Sequence, residues 1–186
     1  VAEESDETLM VQVGAGSRDA ARELVSRHLG RIVAFATRTL GNRSDGEDVA
    51  QETFLRVWTH AKRWQPGTAR LTTWLHRVAL NLCLDRLAKR REGQLDDATD
   101  PIDPAPSITS TLQGDDIGRY VNRELMELPP QQRIAITLCH YQEMRNAEAA
   151  TAMEISIEAV ESLLARGRRT LRARLSNVAP QLLGDA

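Results

Sequence analysis

Apolar residues recur at three- and four-residue steps along most of this chain. The breaks in that rhythm fall at Gly, Pro, Ser, Thr and Asn, so the pattern predicts helices joined by turns. After an acidic lead-in from Glu3 to Glu7, Thr8–Val13 starts a helix that stops at Gly14 and Gly16. Ser17 then caps a second helix, with Ala20, Leu24, Val25, Leu29, Ile32, Val33, Ala36 and Leu40 apolar at helical steps until Gly41 and Asn42 end it. Ser44 followed by Glu47 reads as the capping box of a third helix, with Asp45 and Asp48 favoured by the dipole in its first turn. Val49, Ala50, Thr53, Phe54, Val57, Trp58 and Ala61 form its apolar side; Asp48, Gln51, Glu52, Leu55 and Thr59 lie opposite. An outward Leu55 among polar neighbours is either an idle exposed leucine or part of a partner surface.

The loop QPGTARL breaks that helix with Pro66 and Gly67, and Arg63, Trp64 and Arg70 lie in or beside it. A fourth helix restarts at Thr72 or Thr73. From Trp74 to Ala88 it is apolar nearly all round, so it is expected to lie sunk among other helices. Arg77, Asn81 and Asp85 form one narrow polar stripe, widened at its far end by Arg86, Lys89, Arg90 and Arg91. A salt bridge from Arg77 to Asp85 through Asn81 and contact with phosphate and bases are the competing readings of that stripe. Trp58 and Trp74 sit on faces that read as buried, whereas Trp64 in the loop is free to stack.

From Glu92 to about Asp116 the periodicity disappears into Asp, Pro, Ser and Thr, which predicts a mobile acidic linker. Domains are therefore expected over residues 1–95 and 117–186, joined by 96–116. In the second, Ile117 to Leu128 is a helix, Pro129 and Pro130 open another to about Tyr141, and Asn146 caps a short one through Met153. After a turn at Glu154 and Ile155, Ser156 caps a last long helix to about Leu175. Two helices across a short turn, the second basic at its far end, make a helix-turn-helix pattern. Ile157, Val160, Leu164, Leu171 and Leu175 are assigned to its core side. Glu158, Ala159, Ser162, Arg166 and Arg169 lie opposite, where Ala159 and Ser162 are placed to read bases, and Arg166 and Arg169 to anchor phosphates.

The net charge of -2 over 186 residues hides a strong segregation. Residues 1 to 55 carry 6 basic and 10 acidic side chains, net -4; residues 56 to 91 carry 9 and 1, net +8. Residues 92 to 128 carry 2 and 9, net -7; residues 129 to 186 carry 7 and 6, net +1. An acidic front beside a basic block suits a chain that touches protein on one side and phosphate on another. Cys83 and Cys139 lack metal spacing and read as reduced core thiols. His28, His60, His76 and His140 show no paired metal spacing, and no phosphate loop or nucleophile motif occurs, so an enzyme is the least favoured class. No stretch approaches a membrane span and no leader is visible, which leads to the expectation of a cytoplasmic protein.

The run EDVAQETFLRVW, followed by WLHRVALNLCLDRL, resembles region two of bacterial extracytoplasmic-function sigma factors of the sigma-70 family. The segment DETLMVQVGAGSRDAARELVSRHLGRIVAFATRTLG is similar to the family's first conserved segment, and LPPQQRIAITLCHYQEM through AVESLLARGRRTLRARL resembles region four. The resemblance implies an all-α chain with two small helical domains joined by a flexible acidic linker. It implies transcription initiation without covalent chemistry or cofactor. Asp48, Gln51, Glu52 and Leu55 would dock on core RNA polymerase. Arg63, Trp64, Arg70, Arg77 and Asn81, with Lys89, Arg90 and Arg91, would contact promoter DNA and capture an unstacked base. It further implies an anti-sigma factor that holds the protein inactive. Two positions depart from the family pattern in the second domain: Glu154 where relatives usually have Gly, and Glu161 where they usually have a basic residue. In the loop, Ala69 and Arg70 occupy slots commonly Gly and Ser. A sigma mimic that sequesters an anti-sigma factor and a helix-turn-helix repressor are the rival readings.

Overall fold

The computed structural model describes residues 4–65, 67, 70–93 and 112–176. Its helices are α1 (Asp6–Gly14), α2 (Arg18–Leu40), α3 (Arg43–Ala61), α4 (Leu71–Gly93), α5 (Leu112–Met126), α6 (Pro130–Ile136), α7 (Asn146–Met153) and α8 (Ile157–Ser176). A π turn, Thr137–Tyr141, continues α6. No strand occurs among the described residues, as the helical periodicity predicts. Pro66, Thr68, Ala69 and most of the expected linker lie outside the described residues. The linker's last positions do not: α5 begins at Leu112, inside the stretch read as unstructured.

Several helix starts follow their expected caps. The Ser17 hydroxyl accepts from the Ala20 N–H at 3.3 Å, and the Ser156 hydroxyl accepts from the Ala159 N–H at 3.2 Å. Gly41 ends α2 in the left-handed conformation. Pro130 occupies the first turn of α6, where its missing N–H costs nothing. Others are displaced. Asn42, not Ser44, caps α3, its side chain accepting from the Asp45 N–H at 3.2 Å, while Glu47 pairs with Arg43 at 2.8 Å. α7 is entered from Arg145, whose N–H donates to Glu148 at 2.9 Å, so Asn146 is its first residue instead of its cap. α4 starts at Leu71, before both expected Thr caps, so Thr72 and Thr73 lie inside its first turn.

The first half packs α3 and α4 around α2. Met10, Leu24, Ile32, Phe35, Leu40, Val49, Val57 and Leu75 are wholly buried there, each worth about 1.5–3 kcal/mol of apolar transfer. Gly46 lets α3 approach α2 closely. The second half packs α6 and α7 on α8 around Leu125, Ile134, Leu138, Val160 and Leu164. Ile157, assigned to that core, is instead 42% exposed: its spacing puts it on the face of Val160 and Leu164, but it is the first residue of α8, at the open end of the helix.

The halves also pack on each other. α7 lies against α4, and the π turn lies against α2. His76 of α4 is buried at this joint. Its Nδ1–H donates to the Thr72 carbonyl at 2.7 Å, its Nε2 lies 3.4 Å from the Gln142 side chain, and its ring meets Phe35 edge-on. Arg38 of α2 stacks on Tyr141, 4.3 Å from the ring centroid.

Candidate functional site

The polar stripe of α4 is real, but its internal partners differ from the expected ones. Arg77, Asn81 and Asp85 are all exposed. Arg77 donates to Glu154, at the C-terminal end of α7, so the reading of an Arg77–Asp85 bridge gives way to a pair between the halves. Arg70 likewise donates to Glu148 at 3.0 Å. At the far end of α4 the cluster is divided. Arg90 donates to Asp45 and to the Leu40 carbonyl, and Arg86 lies 3.4 Å from Asp45 and 3.6 Å from Asp48. Those two arginines tie α4 to the entrance of α3, whereas Lys89 and Arg91 point outward, exposed.

Trp64 is held more firmly than a loop position suggests. It is half-buried and meets Trp74 edge-on at 6.1 Å between centroids; Trp74 stacks on His60 at 4.9 Å. Its indole N–H is buried without an acceptor among the described residues. Arg63, next to it, is exposed. Trp58 and Trp74, expected in the core, are partly buried at its margin.

On α3, Asp48, Gln51 and Leu55 are exposed and Glu52 is half-buried, pairing with Arg56 at 2.9 Å. Leu55 is 55% exposed and does not stand alone. With Val25, Leu29, Val33, Phe54 and Trp58 it lines an open apolar groove between α2 and α3. The apolar spacing of Val25, Leu29 and Val33 did not distinguish groove-lining from core positions; Leu29 is 39% exposed.

In the second half, α7 and α8 meet across the turn at Glu154. Ser162, Arg166 and Arg169 are exposed on α8 and Ala159 is half-buried, all on the face expected. Arg166 donates back to the Ser162 hydroxyl at 3.0 Å. Of the three acids near this face, Glu154 turns toward α4 and Glu161 accepts from Asn146 at 3.4 Å. Glu158 stays in the first turn, where its own N–H and the Ser156 hydroxyl hold its carboxyl below the usual range.

Residues 24–93, from within α2 to the end of α4, match sigma-70 region 2, and residues 119–171 match sigma-70 region 4. The ECF RNA polymerase sigma factor SigM of Mycobacterium tuberculosis (strain ATCC 25618 / H37Rv) is 30% identical over 173 residues, covering 93% of this chain and 85% of that protein. The chain belongs to the extracytoplasmic-function sigma factors. The ECF RNA polymerase sigma factor SigE of Mycolicibacterium smegmatis is 34% identical over 158 residues, 83% of this chain; the match spans 61% of that relative's own length. The solved structure of CnrH in complex with the cytosolic domain of CnrY superposes with a TM-score of 0.70 at 28% identity, covering 94% of this chain and 99% of that one.

In this sigma factor the region-two match contains the α3 face, the loop and the α4 stripe, and the region-four match contains the helix-turn-helix. No helix among the described residues is long and apolar enough to cross a membrane.

Proposed function

We propose that this sigma factor binds core RNA polymerase, recognises promoter DNA and promotes strand opening, and that an anti-sigma factor holds it inactive. The observation that carries the reading is the union, on one small bundle, of an apolar groove beside the exposed face of α3 and a guanidinium-bearing helix beside an aromatic loop. Gln51 and Leu55 line the groove, and Asp48 and Glu52 lie on the same α3 face; together they suit a helical protein partner whose apolar side chains enter the groove and whose basic groups meet the carboxylates beside it. Arg63, Trp64, Arg70, Arg77 and Asn81, with Lys89 and Arg91, face the side where a displaced strand would run. A base outside the duplex stacks on an aromatic or guanidinium plane, worth ~1–3 kcal/mol per base. Arg90 acts mainly as a strut in this arrangement, since Asp45 and the Leu40 carbonyl already hold it. Ala159, Ser162, Arg166 and Arg169 present the N-terminal half of α8 to a major groove.

That CnrH was solved in complex with the cytosolic domain of CnrY supports a protein partner for this chain as well. An anti-sigma factor seated on the α3 face would keep polymerase away. The mimic and repressor readings lose ground because both the α4 stripe and the α3 face are intact here.

The test is runoff transcription with purified core polymerase over a genomic promoter library, with permanganate footprinting of the templates that respond. Wild-type protein should yield transcripts and reactive thymines. Trp64→Ala and Asn81→Ala should keep co-elution with core polymerase while melting falls. Undiminished melting in both variants contradicts the DNA roles, and absence of any association with core polymerase at low salt contradicts the whole reading.

A further inference from the structure

The helix-turn-helix carries three acids close to the surface it would turn to DNA, and the structure separates them. Glu154 accepts from Arg77 of α4, and Glu161 accepts from Asn146 at 3.4 Å. Glu158 is different: it is exposed in the first turn of α8, on the reading face. Four, seven and eleven residues on, Ser162, Ala165 and Arg169 follow it in the same row, and all are exposed. At 1.5 Å per residue the row spans ~16 Å, with a carboxylate at its N-terminal end and a guanidinium at the other. Two hydrogen bonds hold the carboxylate in place before anything binds. It accepts from its own backbone N–H and from the Ser156 hydroxyl, which in turn accepts from the Ala159 N–H at 3.2 Å.

We infer that Glu158 is a specificity-determining residue of α8, accepting from the N4 amino group of a cytosine in the major groove that the helix enters. This rests on the reading of α8 as the DNA-recognition helix, in which the N-terminal residues reach base edges. An ionised carboxylate can only accept hydrogen bonds. Guanine presents N7 and O6 and thymine presents O4, all acceptors that repel it, and adenine sets the N7 acceptor beside its N6 donor. Cytosine alone offers a donor with no acceptor on the same base edge. Arg166 and Arg169, further along α8, keep their phosphate contacts and offset the repulsion between Glu158 and the DNA backbone. A carboxylate in the first turn also suits the helix dipole, but that role acts on stability and leaves base preference unmoved.

The experiment uses the protein assembled with core polymerase, on a promoter that responds in the runoff assay. Each base pair of the duplex upstream of the melted segment is replaced in turn by the other three. Competition binding is then measured for the parent, Glu158→Ala and Glu158→Gln. Glu158 is exposed and the Ser156 cap on the Ala159 N–H does not depend on it, so both variants should fold as the parent does. The parent should lose ~5- to 10-fold in affinity when guanine or thymine replaces one particular cytosine. Glu158→Ala should accept all four bases at that pair and keep every other preference. Glu158→Gln should prefer adenine there, because an amide donates to N7 while accepting from N6. A cytosine preference that survives both substitutions overturns the inference. A uniform gain in affinity across all sequences also overturns it, since the carboxylate would then be only a repulsive charge. Tolerance of every upstream replacement by the parent overturns the reading of α8 itself. Selectivity lost in Ser162→Ala but unmoved by either change at Glu158 leaves that reading standing and removes only this inference.

Discussion

At the scale of single residues, burial sets the reactivity of the two thiols apart. Cys83 is enclosed by the first core, and burial pushes its thiol up to about 12 despite the nearby Arg86 and Arg133 guanidinium groups. Cys139 is half-buried; burial raises it, partly offset by Arg168, and its sulfur contacts Asn146 at 3.7 Å. Because the thiolate is the nucleophile, Cys83 should stay unmodified by an aromatic disulfide reagent at pH 8 until the chain unfolds. The Cys139→Ser variant should then show no rapidly titrating thiol, and a fast one would place Cys83 within reach of solvent. Charge at the α3 face makes a second test. Glu52 pairs, among the described residues, with Arg56 of its own helix, so Glu52→Arg should change stability by no more than about 0.5 kcal/mol. It should nevertheless weaken co-elution with core polymerase by reversing charge on the proposed docking face of α3; unaltered co-elution would remove Glu52 from the docking surface.

At the scale of helices, the decisive feature is how closely α3 crosses α2. A Cβ on Gly46 would clash with the Thr37 hydroxyl and lie 2.9 Å from the Thr37 backbone nitrogen, which cannot turn aside. Gly46→Ala should therefore destabilise by about 1–3 kcal/mol, more than the ~1 kcal/mol that alanine returns in helix propensity. Gly30→Ala, with nothing near its Cβ, should stabilise by up to ~1 kcal/mol. Urea midpoints moving in opposite directions with equal slopes are the expected result. The apolar rhythm made much of this legible: Val49, Ala50, Thr53, Phe54, Val57 and Ala61 are buried as their spacing requires, and Ser17 and Ser156 cap as read. The start of α3 was less legible because Asn42 and Ser44 are both good caps, and the choice turned on Gly41 delivering Asn42 to the Asp45 N–H. The pairs of Arg70 and Arg77 were not legible at all. Their partners lie more than seventy residues away, and no local spacing encodes a contact between separately folded halves.

At the scale of the whole molecule, stability and pH meet at His76, where α4, α2 and the π turn converge. Burial holds its pKa below the ordinary 6.5, with Arg31 and His28 pressing the same way and the Thr72 and Gln142 contacts opposing. Above 6.5 the ring is neutral in both folded and unfolded chains, and its packing contributes in full. As pH falls below 6.5 the unfolded chain takes up a proton that the folded chain refuses, so stability is lost progressively toward the depressed folded value. His140, also lowered by burial and by Arg168, acts in the same direction from a more open position. The urea midpoint should therefore fall between pH 7.5 and pH 5.5, and His76→Gln should remove most of that fall even if it lowers both midpoints. Gln142 and Phe35 contact the ring from the two halves, so acid should loosen their joint together with the fold. Energy transfer between two fluorophores, one attached to each half, followed over the same pH range, should decline in the parent and stay flat in the variant. A parent whose pH dependence survives His76→Gln intact would mean that some other group carries the proton linkage at this joint.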